Sequence, residues 1–203
     1  MGHAATAALS RYQAKTRLSP HVHCYCGVMT AVEAYELTTG GGATDFARLI
    51  AACESFGPYC LIGGLAVNCY VEPVYTLDAD LVVIASSLAH LAAHLVQQGF
   101  QAEEHAHSLN VRAPGSDLRI QFTTVERYQA FLARAAEAEV LGIRVRVACL
   151  EDVTRGKLWA YGDPRRRLSK RKKEELDLIR LAEAYPELRS IYPGELREQL
   201  DRG

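Results

Sequence analysis

The sequence predicts an α+β domain in which a β-sheet is flanked by helices and followed by a helical C-terminal part. Three observations carry this reading. Helical and strand periodicities alternate between residues 44 and 150. Leu81-Val82-Val83-Ile84 is a continuous apolar run, the mark of a strand covered on both faces. From Glu151 onward the pattern is helical only. A length of 203 residues suits one sizeable core with an extension rather than two full domains. With 49% hydrophobic and 23% charged residues, the composition is that of a soluble globular chain. No apolar run approaches the roughly 18 residues a membrane-spanning helix needs, so a membrane span is excluded.

Residues 1–43 show no sustained period and end in Thr38-Thr39-Gly40-Gly41-Gly42, a composition that reads as an appendage and linker. Met1 to Ser10 lacks the basic start and long apolar middle of a secretory signal, so a cytoplasmic location is expected. Cys24, Cys26, Cys53, Cys60, Cys69 and Cys149 are expected as free thiols, several acting as small hydrophobes inside apolar runs. His21-Val22-His23-Cys24-Tyr25-Cys26 crowds potential ligands too tightly for the usual structural zinc spacings.

Thr44 is placed to cap a helix whose Phe46, Leu49, Ile50 and Cys53 form a buried stripe, and Gly57-Pro58 stops it. Tyr59 to Ile62 reads as a strand, Gly63-Gly64 as a turn, and Leu65 to Val71 as a short helix ended before Pro73. Leu77 to Ala85 is the next strand. A helix capped by Ser86 or Ser87 runs to Gln98. Further strands are expected at Phe100 to His107 and Leu118 to Thr123, then a helix around Val125 to Val140. Leu141 to Leu150 alternates Ile143, Val145 and Val147 with Arg144 and Arg146, as a half-exposed strand does. Helices at Glu151 to Tyr161 and Arg171 to Tyr185 close the chain, the second with a stripe of Leu178, Leu181, Ala182 and Tyr185. The expected division is an appendage at 1–43, a core at 44–150 and a helical region at 151–203.

Net charge is −1, so the molecule as a whole has no field that recruits nucleic acid. Locally, ten Lys/Arg stand against four Asp/Glu between Arg155 and Arg180, and seven of the ten fall between Pro164 and Lys173. That patch suits RNA phosphates or a solvated loop.

The strongest chemical signal is Gly63-Gly64 after a strand, then thirteen residues, then Asp78-Ala79-Asp80 entering the apolar run. Glycines between a strand and a helix let backbone amides approach a phosphate, and a helix N-terminus adds a favourable dipole. Asp78 and Asp80, two apart on a strand, point to one face about 7 Å apart at the backbone, close enough for both to hold a metal. An interior aspartate pair is costly unless a metal or donors compensate. The alternative is a turn aspartate at 78 and a solvated one at 80 on an edge strand.

Gly63-Gly64 followed by Thr76-Leu77-Asp78-Ala79-Asp80 resembles the nucleotidyltransferase superfamily, in particular its bacterial AbiEii-type toxin branch. Leu150-Glu151-Asp152-Val153 with Lys157, and the basic stretch Lys170 to Leu181 with Asp177, are similar to two helices of that branch. The resemblance spans about residues 44 to 193. It implies a nucleotidyltransferase-like mixed sheet, with Gly63 and Gly64 cradling a nucleoside triphosphate and Asp78 and Asp80 coordinating magnesium or manganese. Lys157 would neutralise phosphate charge, and Asp177 would orient Lys157 or help the acceptor. The implied chemistry is in-line attack of a hydroxyl of RNA, including tRNA, or of a protein on the α-phosphorus, with pyrophosphate released. A toxin role with an antitoxin partner follows from the same branch.

The chain departs from that pattern in places. Relatives often carry Ser where Gly64 stands, and Lys-Asp where this chain has Lys173-Glu174. A third carboxylate acting as general base is expected on a later strand. Asp117 is the nearby candidate, yet it follows Pro114-Gly115 and reads equally as a turn residue. The alternative function is therefore a catalytically inactive nucleotide- or partner-binding module with the same fold. Lys157 as a solvated lysine, and Asp177 as a surface partner of Lys173 and Arg180, are the structural alternatives for those two residues.

Overall fold

The computed structural model describes residues 29–202, and the chain from Ala31 onward forms one compact unit. The His21 to Cys26 cluster lies outside the described residues, as do Cys24 and Cys26. Within this unit α1 (Ala31–Thr39) and α2 (Gly42–Phe56) lead into β1 (Tyr59–Ile62), α3 (Gly63–Val67) and β2 (Asp78–Val83). Then come α4 (Ala85–Gln97), β3 (Gln101–His105), β4 (Ser108–Arg112), β5 (Arg119–Thr123) and the short helices α5 (Glu126–Gln129) and α6 (Phe131–Arg134). A hairpin of β6 (Ala136–Val140) and β7 (Ile143–Val147) precedes α7 (Leu150–Tyr161), α8 (Leu168–Ala184), a 3-10 turn and α9 (Gly194–Arg202). Among the described residues no helix is long and apolar enough to cross a membrane.

The seven strands form one mixed sheet in the order β3-β4-β5-β2-β1-β7-β6. β2 runs antiparallel to β1, with Ile62 opposite Asp80, and parallel to β5, with Asp78 opposite Arg119 and Asp80 opposite Gln121. The apolar run Leu81–Val83 is buried at the centre, as its continuity requires. Phe46 and Leu49 of α2, Tyr59 of β1, Phe122 of β5 and Leu178 of α8 are among the fully buried side chains that join sheet and helices into one core. Both outer strands carry charge. β3 is exposed along its whole length with Glu103 and Glu104, and β6 presents Glu137 and Glu139, which discourages pairing with another sheet edge.

Several elements depart from the sequence-based expectation. Gly40–Gly42 is a tight corner rather than a linker. Gly40 and Gly41 have φ of 62° and 102°, and a Cβ on Gly40 would stand 2.6 Å from the Gly115 carbonyl oxygen. Residues 31–43, expected in the appendage, are thus built into the body, and the Tyr35 hydroxyl donates to the Thr76 carbonyl at 3.0 Å. Glycine composition alone does not separate a flexible segment from a corner that needs positive φ. Helix α2 consequently starts at Gly42, and its first-turn amides at Ala43 and Thr44 donate to the Glu36 carboxylate at 2.8 and 3.0 Å, so Glu36 rather than Thr44 supplies the cap. Helix α4 starts at Ala85 without a serine cap, and Ser87 Oγ instead donates to the Phe56 carbonyl at 2.6 Å.

The expected helix around Val125 to Val140 breaks after Arg134. Ala136-Glu137-Ala138-Glu139-Val140 has helix-forming residues but also period-2 alternation, and it pairs antiparallel with β7 through a two-residue loop. Both loop residues, Leu141 and Gly142, have positive φ, as a tight two-residue hairpin of the primed type requires. Register places Glu137 opposite Arg146 and Glu139 opposite Arg144, so cross-strand complementarity overrides propensity. The strand expected at Phe100 to His107 is the first arm of a hairpin whose second arm, β4, buries Leu109 and Val111.

Candidate active site

Strand β2 is central, so the carboxylates at its start face a cavity rather than a solvated edge. The cavity holds about 650 Å³. Gly63, Gly64, Asp78, Asp80 and Lys157 line it together, although they come from β2, α3 and α7. Eight Lys/Arg and four carboxylates make up its charged lining, so a polyanion is favoured there.

Gly63 follows β1 directly with φ of 73°. A Cβ at this position would stand 2.1 Å from Asp80 Oδ2, so only glycine lets the bend lie against that carboxylate. Gly64 is less constrained, since a Cβ there would make an ordinary contact of 3.4 Å with Thr76 Oγ1. Helix α3 has only five residues, so its contribution is close backbone approach and free amides rather than a substantial dipole.

Asp78 is surrounded by cations. Its Oδ1 pairs with Arg119 Nε at 2.8 Å, and Oδ2 lies 3.5 Å from Lys173 Nζ and 3.7 Å from Lys170 Nζ. Asp80 differs: it forms no hydrogen bond or ion pair with any described residue. Burial pushes its carboxyl above the usual range, and Asp78 and Glu174 add to this while Lys157 and Lys173 oppose it. A half-buried carboxylate without donors among the described residues, two residues from another on the same face, suits a hard divalent cation. Magnesium binds one or two carboxylates along with phosphate oxygens and water, and Asp78 and Asp80 fit that donor set. Among the described residues there is no cluster of three or more His, Cys, Asp or Glu that would hold a metal unaided.

Lys157 is 5% exposed and is not a solvated lysine. Its Nζ lies 2.7 Å from Glu174 Oε2 and 2.7 Å from Asp177 Oδ2, both on α8. Burial pulls the ammonium down, but Glu174 and then Asp177 outweigh it and raise the lysine above its ordinary value, so it stays charged. Asp177 also pairs with Arg180 at 2.8 Å and sits behind Lys157, off the cavity wall. Its position suits orientation of the lysine. Glu174 additionally binds Arg166 at 2.9 Å, which ties the basic loop to the cavity rim. At the other end of α7, Asp152 is held by a two-pronged pair with Arg134, at 2.6 and 2.9 Å, which fixes this helix against α6.

Asp117 does not join the group. It is exposed in the loop before β5, its amide donates to the Thr39 carbonyl at 2.8 Å, and it does not line the cavity. The β5 residues facing the cleft are Arg119, Gln121 and Thr123, and Gln121 stands opposite Asp80. A polar row, Glu103, Asn110, Gln121 and Asp80, crosses four neighbouring strands along this wall. Arg127 and Tyr128, after β5, complete the lining beside α7. The alternation Arg119-Ile120-Gln121-Phe122 marks which β5 side chains leave one face, but only strand register assigns that face to the aspartates.

The fold is that of the nucleotidyltransferases. The structure is similar to the crystal structure of ANT(2'')-Ia in complex with adenylyl-2''-tobramycin, with 17% identity over 79% of this chain and 97% of that one and a TM-score of 0.56. It is likewise similar to the solution structure of the antibiotic-resistance factor ANT(2'')-Ia, at 18% identity over 79% and 89% and a TM-score of 0.51. An antigenic nucleotidyltransferase-like protein from Paracoccidioides brasiliensis matches at 21% identity over 79% and 85%, with a TM-score of 0.50. No family model matches the sequence, and no curated protein matches it.

Proposed function

We propose that this chain is a nucleotidyltransferase that moves a nucleoside monophosphate from a magnesium nucleoside triphosphate to an acceptor hydroxyl. The observation that carries the reading is Asp80, a carboxylate without a partner among the described residues, set against the Gly63 bend and within the field of Lys157. The amides of Gly63 and Gly64 bind the triphosphate at close range. Lys157, fixed by Glu174 and Asp177, offsets phosphate charge at a position that needs no rearrangement. Asp78 and Asp80 hold the magnesium, which when bound polarises the phosphoryl oxygens and offsets charge developing on the leaving group. The acceptor oxygen bonds to the α-phosphorus, the bridging α–β bond breaks, pyrophosphate leaves and the hydroxyl proton passes to water.

Arg166, Arg167, Lys170 and Lys173 on the cavity wall favour an anionic acceptor, so RNA, including tRNA, is preferred over a protein hydroxyl. The resemblance to the AbiEii-type branch extends this to a toxin controlled by an antitoxin. Incubation with labelled triphosphates, magnesium and total RNA or lysate tests the reading. Label transfer that is lost with Asp80→Asn is expected, and no transfer to any acceptor overturns it.

A second reading is a nucleotide-binding module without turnover, favoured by one observation: Gln121, not a carboxylate, stands beside Asp80 on β5. It predicts magnesium-dependent triphosphate binding in calorimetry with no pyrophosphate release.

A further inference from the structure

Beside Lys157 the cavity wall changes from charged to aromatic. Gly156 lines the cavity, and a Cβ there would touch the Tyr128 ring at 3.5 Å. Tyr128 meets Phe131 edge-on at 5.4 Å and Trp159 at 5.2 Å, while Phe131 and Trp159 stack with 13° between their planes. Phe131 is buried in the core, so the ring set is anchored from below.

The Arg127 guanidinium lies over this set, 4.9 Å from the Trp159 ring centre and 5.3 Å from that of Tyr128. Unlike Arg119 and Arg166, which are committed to carboxylates, Arg127 forms no hydrogen bond or ion pair with a described residue. A guanidinium oriented by ring contacts keeps a planar fork of donors in the plane of the group. The wall beside the phosphate-facing lysine therefore combines a glycine against which the Tyr128 ring rests, a braced aromatic ring and an uncommitted donor fork. A nucleobase is complementary to all three, with a flat π face and hydrogen-bond acceptors along its edge.

We propose that Tyr128 and Arg127, beside Gly156, form the nucleobase subsite for the nucleoside triphosphate donor. This rests on the triphosphate reading above. The base packs against Tyr128 over Gly156, and Arg127 donates to acceptor atoms on its edge while stacked on Trp159.

The test is calorimetry with magnesium nucleoside triphosphates and, separately, magnesium tripolyphosphate, which has phosphates but no base. The wild-type chain should bind the nucleotides more tightly than tripolyphosphate. Arg127→Ala and Tyr128→Ala should each weaken nucleotide binding about tenfold, in the range of one lost base contact, and leave tripolyphosphate unchanged. Arg127→Lys should fail to restore nucleotide binding, because it keeps the charge without the fork. Trp159, the chain's single tryptophan, should change its emission on nucleotide addition and not on tripolyphosphate addition. Equal affinity for the two ligands overturns the subsite while leaving the triphosphate reading intact. So does an equal loss for both in Arg127→Ala, whose exposed side chain makes a folding failure improbable as the cause, or rescue by Arg127→Lys. Binding of neither ligand to the wild type overturns both proposals together.

Discussion

The α-carbon of Gly63 lies against the carboxylate of Asp80, so closely that a methyl group on the glycine would stand 2.1 Å from Oδ2. Its neighbour Gly64 has room for a Cβ. The two glycines should therefore respond differently. Gly63→Ala combines the clash with a φ of 73°, which alone costs about 1–2 kcal/mol, and should lose both nucleotide binding and several degrees of thermal stability. Gly64→Ala or Gly64→Ser should fold with a melting temperature close to wild type. Thermal melts of the pair decide this, and equal damage from both substitutions would contradict it.

Asp80→Asn should separate stability from function. The carboxyl is raised above its unfolded value, so in the metal-free protein ionised Asp80 opposes folding. Stability falls as pH rises from the ordinary carboxylate value through the raised one, and the full loss persists above it. The neutral variant lacks that loss. In the presence of a chelator at neutral pH, Asp80→Asn should melt higher than wild type, and the difference should vanish in acid. Transfer activity should drop about a hundredfold or more, since the proposed metal ligand is removed.

The Lys157, Glu174 and Asp177 knot should be severe to break and tolerant of wholesale replacement. Lys157→Met removes the ammonium that Glu174 and Asp177 share and leaves each buried carboxylate with one arginine, Arg166 and Arg180, a loss of about 3 kcal/mol. The triple variant Lys157→Met, Glu174→Gln, Asp177→Asn removes the lysine and both carboxylates, leaves amide oxygens to accept from Arg166 and Arg180, and should regain part of that stability in urea titrations. It should remain without transfer activity. Recovery of activity in the triple variant would show that the lysine serves packing alone.

Lys170 and Lys173 compete with any cation at Asp78, yet they also extend the positive wall. Replacing both with alanine should strengthen magnesium binding in the absence of nucleotide. The same variant should weaken triphosphate binding about tenfold through lost charge-assisted contacts. Parallel titrations with magnesium alone and with magnesium nucleotide would expose the opposite signs.

What was readable from the sequence follows from range of interaction. The Asp78 and Asp80 pair was legible because a strand's alternation is local, and Leu81 to Val83 announced a central position. Lys157 and Asp177 were reached through resemblance, and their contact with one another required two helices to pack. Arg119, Arg127 and Tyr128 gave no local signal, since their relation to the aspartates depends on β5 lying beside β2 and on α7 crossing nearby. Asp117 stayed open between turn residue and base because the two look alike in one dimension. The β6 segment misled for a different reason: alanine and glutamate favour helix, and only the Leu141-Gly142 bend and the arginines of β7 tip the balance toward a strand.

The parallel ladder between β1 and β7, with Leu61 beside Val147, bears on how the protein is made. A chain leaving the ribosome presents its glycine bend and both aspartates early, but the strand that flanks β1 arrives more than eighty residues later, and the acids that steady Lys157 later still. Through that interval the half-built sheet has a bare hydrophobic margin. The contacts around Lys157 thus close only after Asp177 has been made, and products truncated before β7 should keep that margin open and depend on chaperones.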